Sequence, residues 1–229
     1  MAEKDIFAMI VERFGEPQNA RRLAPDEAAR YRGRVPEALI TFWVEHGWGS
    51  YRDGYFWICD PVLFDPLVRT IFAGDPELRP EDISMVAYTG EGEAALMWHR
   101  KKYGMTAFPH SSELGVGYAA AVPADPDTGV EYSQNFLAGA LLIDIIVDDA
   151  DDFYDVRRRL GPLADGEVYG YVPARQLGGS EDDRQRVRVP EYFDIIAQLT
   201  PYRLVEQTSP EPGYPYGRFR DVRQIGRPR

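Results

Sequence analysis

The sequence predicts an α+β fold on three observations. Near the start of the chain, Ile6, Ile10 and Phe14 recur at intervals of four, as on one face of a helix. Short apolar runs separated by Gly-containing turns fill the middle, a pattern typical of strands. Helical and strand patterns alternate again in the last third. We therefore expect N-terminal helices and a hairpin, a central antiparallel β region, and C-terminal helices with short strands.

The N-terminal elements follow from local signals. A second helix is predicted from about Pro36 to His46, because Leu39 and Trp43 share a face and Gly47 can end it. Asp53-Gly54 is a hairpin signal between two aromatic stretches. A third helix is predicted to open at Pro66.

The central and C-terminal elements are shorter. SMVAYT, EAALMWH and MTAFP are predicted strands, and residues 114–133 a loop rich in Gly, Ala, Pro and Asp. A helix capped by Asp151 or Asp152 is predicted to run through Leu160. EVYGYV is a predicted strand, and Pro190 opens a last helix. From Thr200 onward the sequence predicts an irregular tail.

Composition and charge limit the classes of function. The 229 residues carry a formal net charge of -11, which repels nucleic acid and anionic membranes and favours a basic partner. The lone Cys59 rules out an internal disulfide. The N-terminus lacks a signal-peptide pattern, and the longest apolar run, residues 136–147, is too short to span a membrane. We therefore expect a cytoplasmic protein that binds neither membrane nor nucleic acid directly.

No catalytic, cofactor-binding or metal-binding residues are predicted. Two segments match a loose dinucleotide fingerprint: Gly90, Gly92, Ala95 and Gly115, Gly117, Ala120. The first precedes a predicted strand rather than a helix, and Glu91 and Glu93 would repel a pyrophosphate, so we interpret it as a hairpin turn. Residues 125–129 fit a turn better than a calcium loop, and the three histidines lack metal-ligand spacing. A small-molecule or nucleotide-binding enzyme that uses the Gly-rich turns remains the alternative hypothesis.

An acidic run is the densest charge feature. It comprises Asp144, Asp148, Asp149, Asp151, Asp152 and Asp155, with no basic residue between them. Carboxylates are favourable at a helix N-terminus, which gives one interpretation. The other is a surface complementary to a basic groove, such as the substrate channel of a nuclease. On that interpretation Asp148, Asp149, Asp151, Asp152 and Asp155 are the candidate partner-binding residues.

Two segments resemble known families. PEALITFWVEHGWGSYRDGYFWICDP, which contains Trp43, His46, Gly47, Trp48 and Gly49, resembles the signature of GAD-like domains. LGPLADGEVYGYVPARQLGG resembles the C-terminal domain of type VI secretion immunity proteins of the Tdi type. Its motif residues include Glu167, Tyr169, Gly170, Pro173, Leu177, Gly178 and Gly179. We interpret the motif residues as structural.

The resemblance implies a domain organisation and a function. It implies a GAD-like domain over residues 1–110 and an immunity-protein C-terminal domain over 111–200, followed by an Arg-bearing tail over 201–229. It also implies a non-enzymatic protein, without a cofactor, that binds and blocks a secreted antibacterial effector, often a DNase, in the producing cell. The Asp-rich stretch at 148–152 and the tail depart from the family pattern, which leaves the cognate toxin open.

Overall fold

The computed structural model describes residues 7–101, 103–116, 150–208 and 219–226. The helices are α1 (Ala8–Phe14), α2 (Glu37–Glu45), α3 (Asp65–Ile71), α4 (Ala150–Leu160) and α5 (Val189–Leu199). The strands are β1 (Gln18–Arg21), β2 (Trp48–Tyr51), β3 (Phe56–Ile58), β4 (Ile83–Thr89), β5 (Ala95–His99), β6 (Tyr103–Phe108), β7 (Glu113–Val116), β8 (Glu167–Tyr171), β9 (Arg184–Arg188), β10 (Arg203–Gln207) and β11 (Phe219–Gln224).

Nine of these strands form one sheet in the order β1-β2-β3-β4-β5-β6-β7-β10-β11. Neighbouring strands are antiparallel except β7 and β10, which run parallel. Strands β8 and β9 form a separate two-stranded antiparallel sheet. The mixed architecture with a large antiparallel sheet confirms the predicted α+β class.

The middle of the large sheet is buried, and its strands are mainly apolar, with Ser84, Thr89 and His99 as buried polar residues. Every residue of β4 and every residue of β5 is buried. A continuous apolar run, rather than strict alternation, is what a strand covered on both faces requires. Strand β3 is also buried, and its Trp57 ring stacks parallel to Tyr88 of β4, with the ring centroids 6.1 Å apart.

Two helices pack through the faces that the sequence predicts. Leu39 and Trp43 of α2 are buried, and the Trp43 ring lies 5.4 Å from Tyr31 in an edge-to-face contact. Helix α3 contacts α5, where the Thr70 hydroxyl donates to Asp194 at 2.8 Å. The last predicted helix is thus attached to the N-terminal half of the chain.

The end of the chain is not the irregular tail that the sequence predicts. Strand β10 pairs with β7 and β11, so residues 203–207 and 219–224 extend the main sheet. Ile225 is buried, and its backbone N–H donates to the Tyr202 carbonyl at 2.8 Å. The prediction failed because the pairing with β7 joins residues 90 positions apart, which local patterns cannot reveal.

Candidate functional site

The site is a group of charged side chains where strands β8 and β9 meet the β4–β5 turn. Glu91 lies on that turn, and Arg184 is the first residue of β9. Arg184 is almost fully buried, and its Nη1 lies 3.3 Å from Oε1 of Glu91. The Tyr169 N–H donates to the Gly90 carbonyl at 2.8 Å, which anchors β8 to the same turn. The β4–β5 turn therefore contacts both β8 and β9 and helps to fix their positions.

A second carboxylate, that of Glu181, also holds Arg184. The Arg184 Nε donates to Oε2 of Glu181 at 2.8 Å, and the Tyr171 hydroxyl donates to Oε1 at 2.7 Å. Arg175 pairs with the same Glu181 oxygen and donates to the Tyr171 hydroxyl at 2.6 Å. Both guanidinium groups also lie over the Tyr171 ring, 4.4 and 4.6 Å from its centroid. These contacts hold residues 171–184 in one arrangement.

Negative charge exceeds positive charge around Arg184. Burial first, and then repulsion by the Glu93 carboxylate, raise the pKa of Glu91 to about 7. Arg184 opposes the increase in this pKa, while Asp152 and Glu181 add to it. We call Glu91, Glu93, Asp152 and Glu181, together with Arg184, the junction cluster. Three of these carboxylates, those of Glu91, Glu93 and Glu181, lie within 3.9 Å of the buried Arg184 guanidinium, and Glu181 also pairs with Arg175. Asp152 acts on the cluster through its electrostatic effect on Glu91.

His110 adds no positive charge to the junction cluster at neutral pH. Burial lowers the pKa of His110 to about 4, so its imidazole is neutral. Its Nε2 lies 3.2 Å from the Glu91 carbonyl, and its ring contacts Tyr171 with centroids 4.8 Å apart. The surplus of negative charge in the cluster therefore persists at physiological pH.

The predicted acidic run contributes to the cluster through Asp152. Asp152 is exposed in the first turn of α4, and Asp155 forms an ion pair with Arg158 one turn later. Asp151 is also in that first turn, although its side chain lies outside the described part. Asp144, Asp148 and Asp149 lie outside the described residues. The acidic residues at the start of α4 and Arg157 to Arg159 at its end suit the helix dipole, so the two interpretations of the run are compatible.

Sequence reasoning missed Glu93, Glu181 and Arg184 as a group. Glu91 and Arg184 are 93 positions apart, so no local pattern joins them. One signal was available: two glutamates occupy a turn between two strands that are otherwise apolar.

Comparison with known families assigns both halves of the chain. Residues 5–107 match the GAD-like domain, and residues 146–200 match the family described as T6SS immunity protein Tdi1, C-terminal. The chain combines a GAD-like domain with a Tdi1-type immunity C-terminal domain. The resemblance seen in the sequence is thereby confirmed. None of the curated proteins matches the chain.

A solved structure shares the fold of almost the whole chain. The crystal structure of Atu4351 from Agrobacterium tumefaciens superimposes with a TM-score of 0.79 at 24% sequence identity. The match covers 95% of this chain and 97% of that chain. The overall fold of this chain has therefore been observed by experiment in another protein.

The GAD-like motif residues lie in the core. Trp43 and Trp48 are buried with their rings 5.6 Å apart, and His46 Nδ1 lies 3.0 Å from a Glu16 carboxylate oxygen. Gly47 has a φ of +93°, and a Cβ there would lie 2.7 Å from the Arg21 carbonyl oxygen. Gly49 lies in β2 beside β1. These contacts support the structural interpretation of the motif.

Several Tdi1-type motif residues also make structural contacts. Oε2 of Glu167 accepts from the Ala164 N–H at 2.9 Å, and the Tyr169 hydroxyl donates to the Gly161 carbonyl at 2.5 Å. Gly170 lies in β8, where its Cα faces Val187 and Tyr192. The remaining motif residues, Pro173, Leu177, Gly178 and Gly179, lie in the connection between β8 and β9.

Other candidate chemistry from the sequence finds no support. Gly90 and Gly92 lie on the β4–β5 turn and Ala95 begins β5, so no helix follows this fingerprint. Gly115 ends up in β7, whereas Gly117, Ala120 and residues 125–129 lie outside the described part. Within the described ranges, no group of three or more His, Cys, Asp or Glu side chains could hold a metal ion. No described helix is long and apolar enough to cross a membrane.

Proposed function

We propose that this protein is an immunity protein that binds and neutralises a cognate secreted effector, a nuclease, in the cytoplasm of the cell that makes both. Its match to the Tdi1-type C-terminal family supports the immunity role. The observation that carries the finer proposal is the junction cluster, in which three carboxylates surround one buried guanidinium and a fourth, Asp152, acts electrostatically on Glu91.

The cluster is suited to a basic partner surface. A nuclease binds phosphates with Lys and Arg side chains, and carboxylates can occupy the same positions. Glu93 and Glu181 are more than half exposed, so they can accept hydrogen bonds from an incoming cation. Such a cation would also offset the carboxylate repulsion that, after burial, raises the pKa of Glu91. Binding there would exclude substrate from the nuclease groove.

Long-range attraction would speed the encounter. The formal net charge of -11 favours approach of a basic protein at low ionic strength. Asp148, Asp149, Asp151, Asp152 and Asp155 belong to this proposal as steering groups, with Asp152 the one that acts electrostatically on Glu91. Neutralisation by occlusion needs one molecule of protein per effector and no catalytic group, so we propose a non-enzymatic role.

The domain boundaries are also part of the proposal. We assign the GAD-like domain to residues 1–110 and the immunity C-terminal domain to 111–200, with the β10–β11 strands as a C-terminal extension. The junction cluster takes residues from both assigned domains. We therefore expect neither domain to present the acidic surface when produced alone.

Co-expression tests the immunity role most simply. The full chain is produced together with the effector-like protein encoded by the neighbouring gene, with cell survival and co-purification as readouts. We expect rescue and a stable complex, and we expect genomic DNA to degrade in cells that make the effector alone. Persistent toxicity without a complex would contradict the proposed pairing, and toxicity without nucleic acid damage would contradict the nuclease assignment.

A further inference from the structure

The β8–β9 loop, residues 172–183, exposes apolar side chains beside the junction cluster. Leu177 is 60% exposed and Val172 is 43% exposed. Both lie within the region that matches the Tdi1-type family. Leu177 ends a short 3-10 turn formed by Arg175–Leu177. Exposed apolar surface with polar residues around it is a candidate for contact with a partner protein.

Hydrogen bonds to the main sheet hold this loop. The Gln176 side-chain amide nitrogen lies 2.8 Å from the Pro109 carbonyl and 3.1 Å from the Ser112 hydroxyl. These partners belong to the β6–β7 turn, so Leu177 follows a residue anchored to a different part of the fold. The loop therefore does not have to be ordered at the moment of binding, which lowers the entropic cost of association.

The backbone of the loop is also closely packed. A Cβ at Gly179 would lie 1.9 Å from the Pro173 carbonyl oxygen, so only glycine permits this approach. Within the loop, Ala174 is buried, and the Val172 N–H donates to the Asp183 carbonyl at 3.0 Å. Close packing thus explains why residues 179 and 174 are small. It does not explain the exposed side chain of Leu177.

Charge around the loop indicates the kind of surface that fits it. Glu181 lies in the loop itself and binds Arg184 in the junction cluster. Asp182 and Asp183 follow Glu181, and Arg175 is already paired with Glu181. The loop that carries Leu177 and Val172 therefore has three carboxylates and one guanidinium group of its own, and Arg159 of α4 donates to its Glu181 carbonyl at 3.0 Å. A complementary surface has an apolar pocket with Lys or Arg side chains at its rim.

We propose that Leu177 and Val172 are the apolar anchors of the effector interface, entering a hydrophobic pocket that is bordered by basic side chains on the effector. This inference rests on the proposed immunity function and adds the contact face to it. The anchors supply affinity through burial, while the junction cluster supplies orientation and rate of encounter.

Affinity measurement with a matched control tests the anchors. Leu177→Ser is compared with Leu63→Ser, because Leu63 is 62% exposed and lies on the 3-10 turn before α3. The probe is the effector-like protein from the neighbouring gene, carrying an inactivating substitution, and the readout is Kd by calorimetry. We expect Leu177→Ser to raise Kd tenfold or more. Leu177→Met should keep Kd within about threefold, and Leu63→Ser should leave it unchanged.

The outcomes separate this inference from the function on which it rests. If wild-type protein binds the effector and Leu177→Ser binds equally well, the anchor proposal is overturned and the immunity role stands. Absence of wild-type binding would overturn both. Light scattering on the free protein checks the other possible occupant: a dimer that Leu177→Ser converts to a monomer would assign this surface to a second copy of the chain and overturn the proposal. Circular dichroism of each variant excludes loss of fold as the cause.

Discussion

Two buried carboxylates of this protein have pKa values that are shifted in opposite directions. Asp75 and Glu91 are both buried, and each binds an arginine more than ninety positions away. Burial alone would raise the pKa of both. Hydrogen bonds from Arg223 and from the backbone N–H groups of Leu78, Glu77 and Gly226 bring the pKa of Asp75 down to about 2, whereas Glu91 stays near 7.

The difference separates a structural contact from a candidate binding site. Asp75 has enough donors to stabilise its charge, and through Arg223 and Gly226 it fixes the last strand to the loop after α3. Glu91 shares its one guanidinium with other carboxylates and is stabilised less. A carboxylate that the fold leaves incompletely compensated can gain from a cation supplied by a partner.

Loss of the Asp75 contacts should have the largest effect. Asp75→Ala leaves three backbone donors without their acceptor and leaves Arg223 with only Glu77 and the Gln224 carbonyl, so we expect a loss of about 4 kcal/mol in the free energy of unfolding. Urea denaturation measures it. Asp221→Ala is the matched control, because Asp221 also pairs with an arginine but is exposed, and its loss should cost less than about 1 kcal/mol. Equal effects would contradict the structural role of Asp75.

Replacing the Glu91 carboxylate by a neutral amide should raise the free energy of unfolding, whereas loss of the Asp75 contacts lowers it. The folded-state pKa of Glu91 is raised above its usual 4.5, so its contribution to stability is complete below pH 4.5 and is lost as pH rises through about 7. We therefore expect Glu91→Gln to stabilise the protein by about 2 kcal/mol at pH 8 and to have little effect at pH 4.5. Urea titrations at the two pH values measure this. Glu93→Gln, at an exposed position, should change stability by only a few tenths of a kcal/mol at either pH.

The stability contributions of Asp75 and Glu91 should also differ in their dependence on pH between 2 and 4. The depressed pKa of Asp75 contributes stability that is complete above pH 3.8 and is lost as pH falls through about 2. The gap in stability between wild type and Asp75→Ala should therefore narrow by about 2 kcal/mol as the pH falls to 2, where wild type and Glu91→Gln already coincide. Denaturation from pH 2 to 4 checks this smaller effect, and a constant gap between wild type and Asp75→Ala would contradict it.

Local sequence signals predicted the elements well and their long-range partners poorly. The spacing of Leu39 and Trp43 predicts α2, and the mainly apolar sequences of β4 and β5 identify buried strands. Strand β10 was missed because it is specified by pairing with β7, not by its own pattern. The junction cluster was missed for the same reason: Glu91, Asp152 and Arg184 come from three separate elements. The acidic run predicted a negatively charged surface, but Asp152 is the one carboxylate of the junction cluster that belongs to it.

The central claim is that the junction cluster attracts the effector, and association kinetics test it most directly. Glu93→Lys with Asp152→Lys is compared with Asp26→Lys with Glu37→Lys, a pair with the same change in net charge at exposed positions elsewhere. The account predicts that the first pair slows association with the effector about tenfold at low salt and flattens its salt dependence, while the control pair slows it much less. Equal rates for the two pairs would contradict the claim, because net charge alone would then explain the attraction.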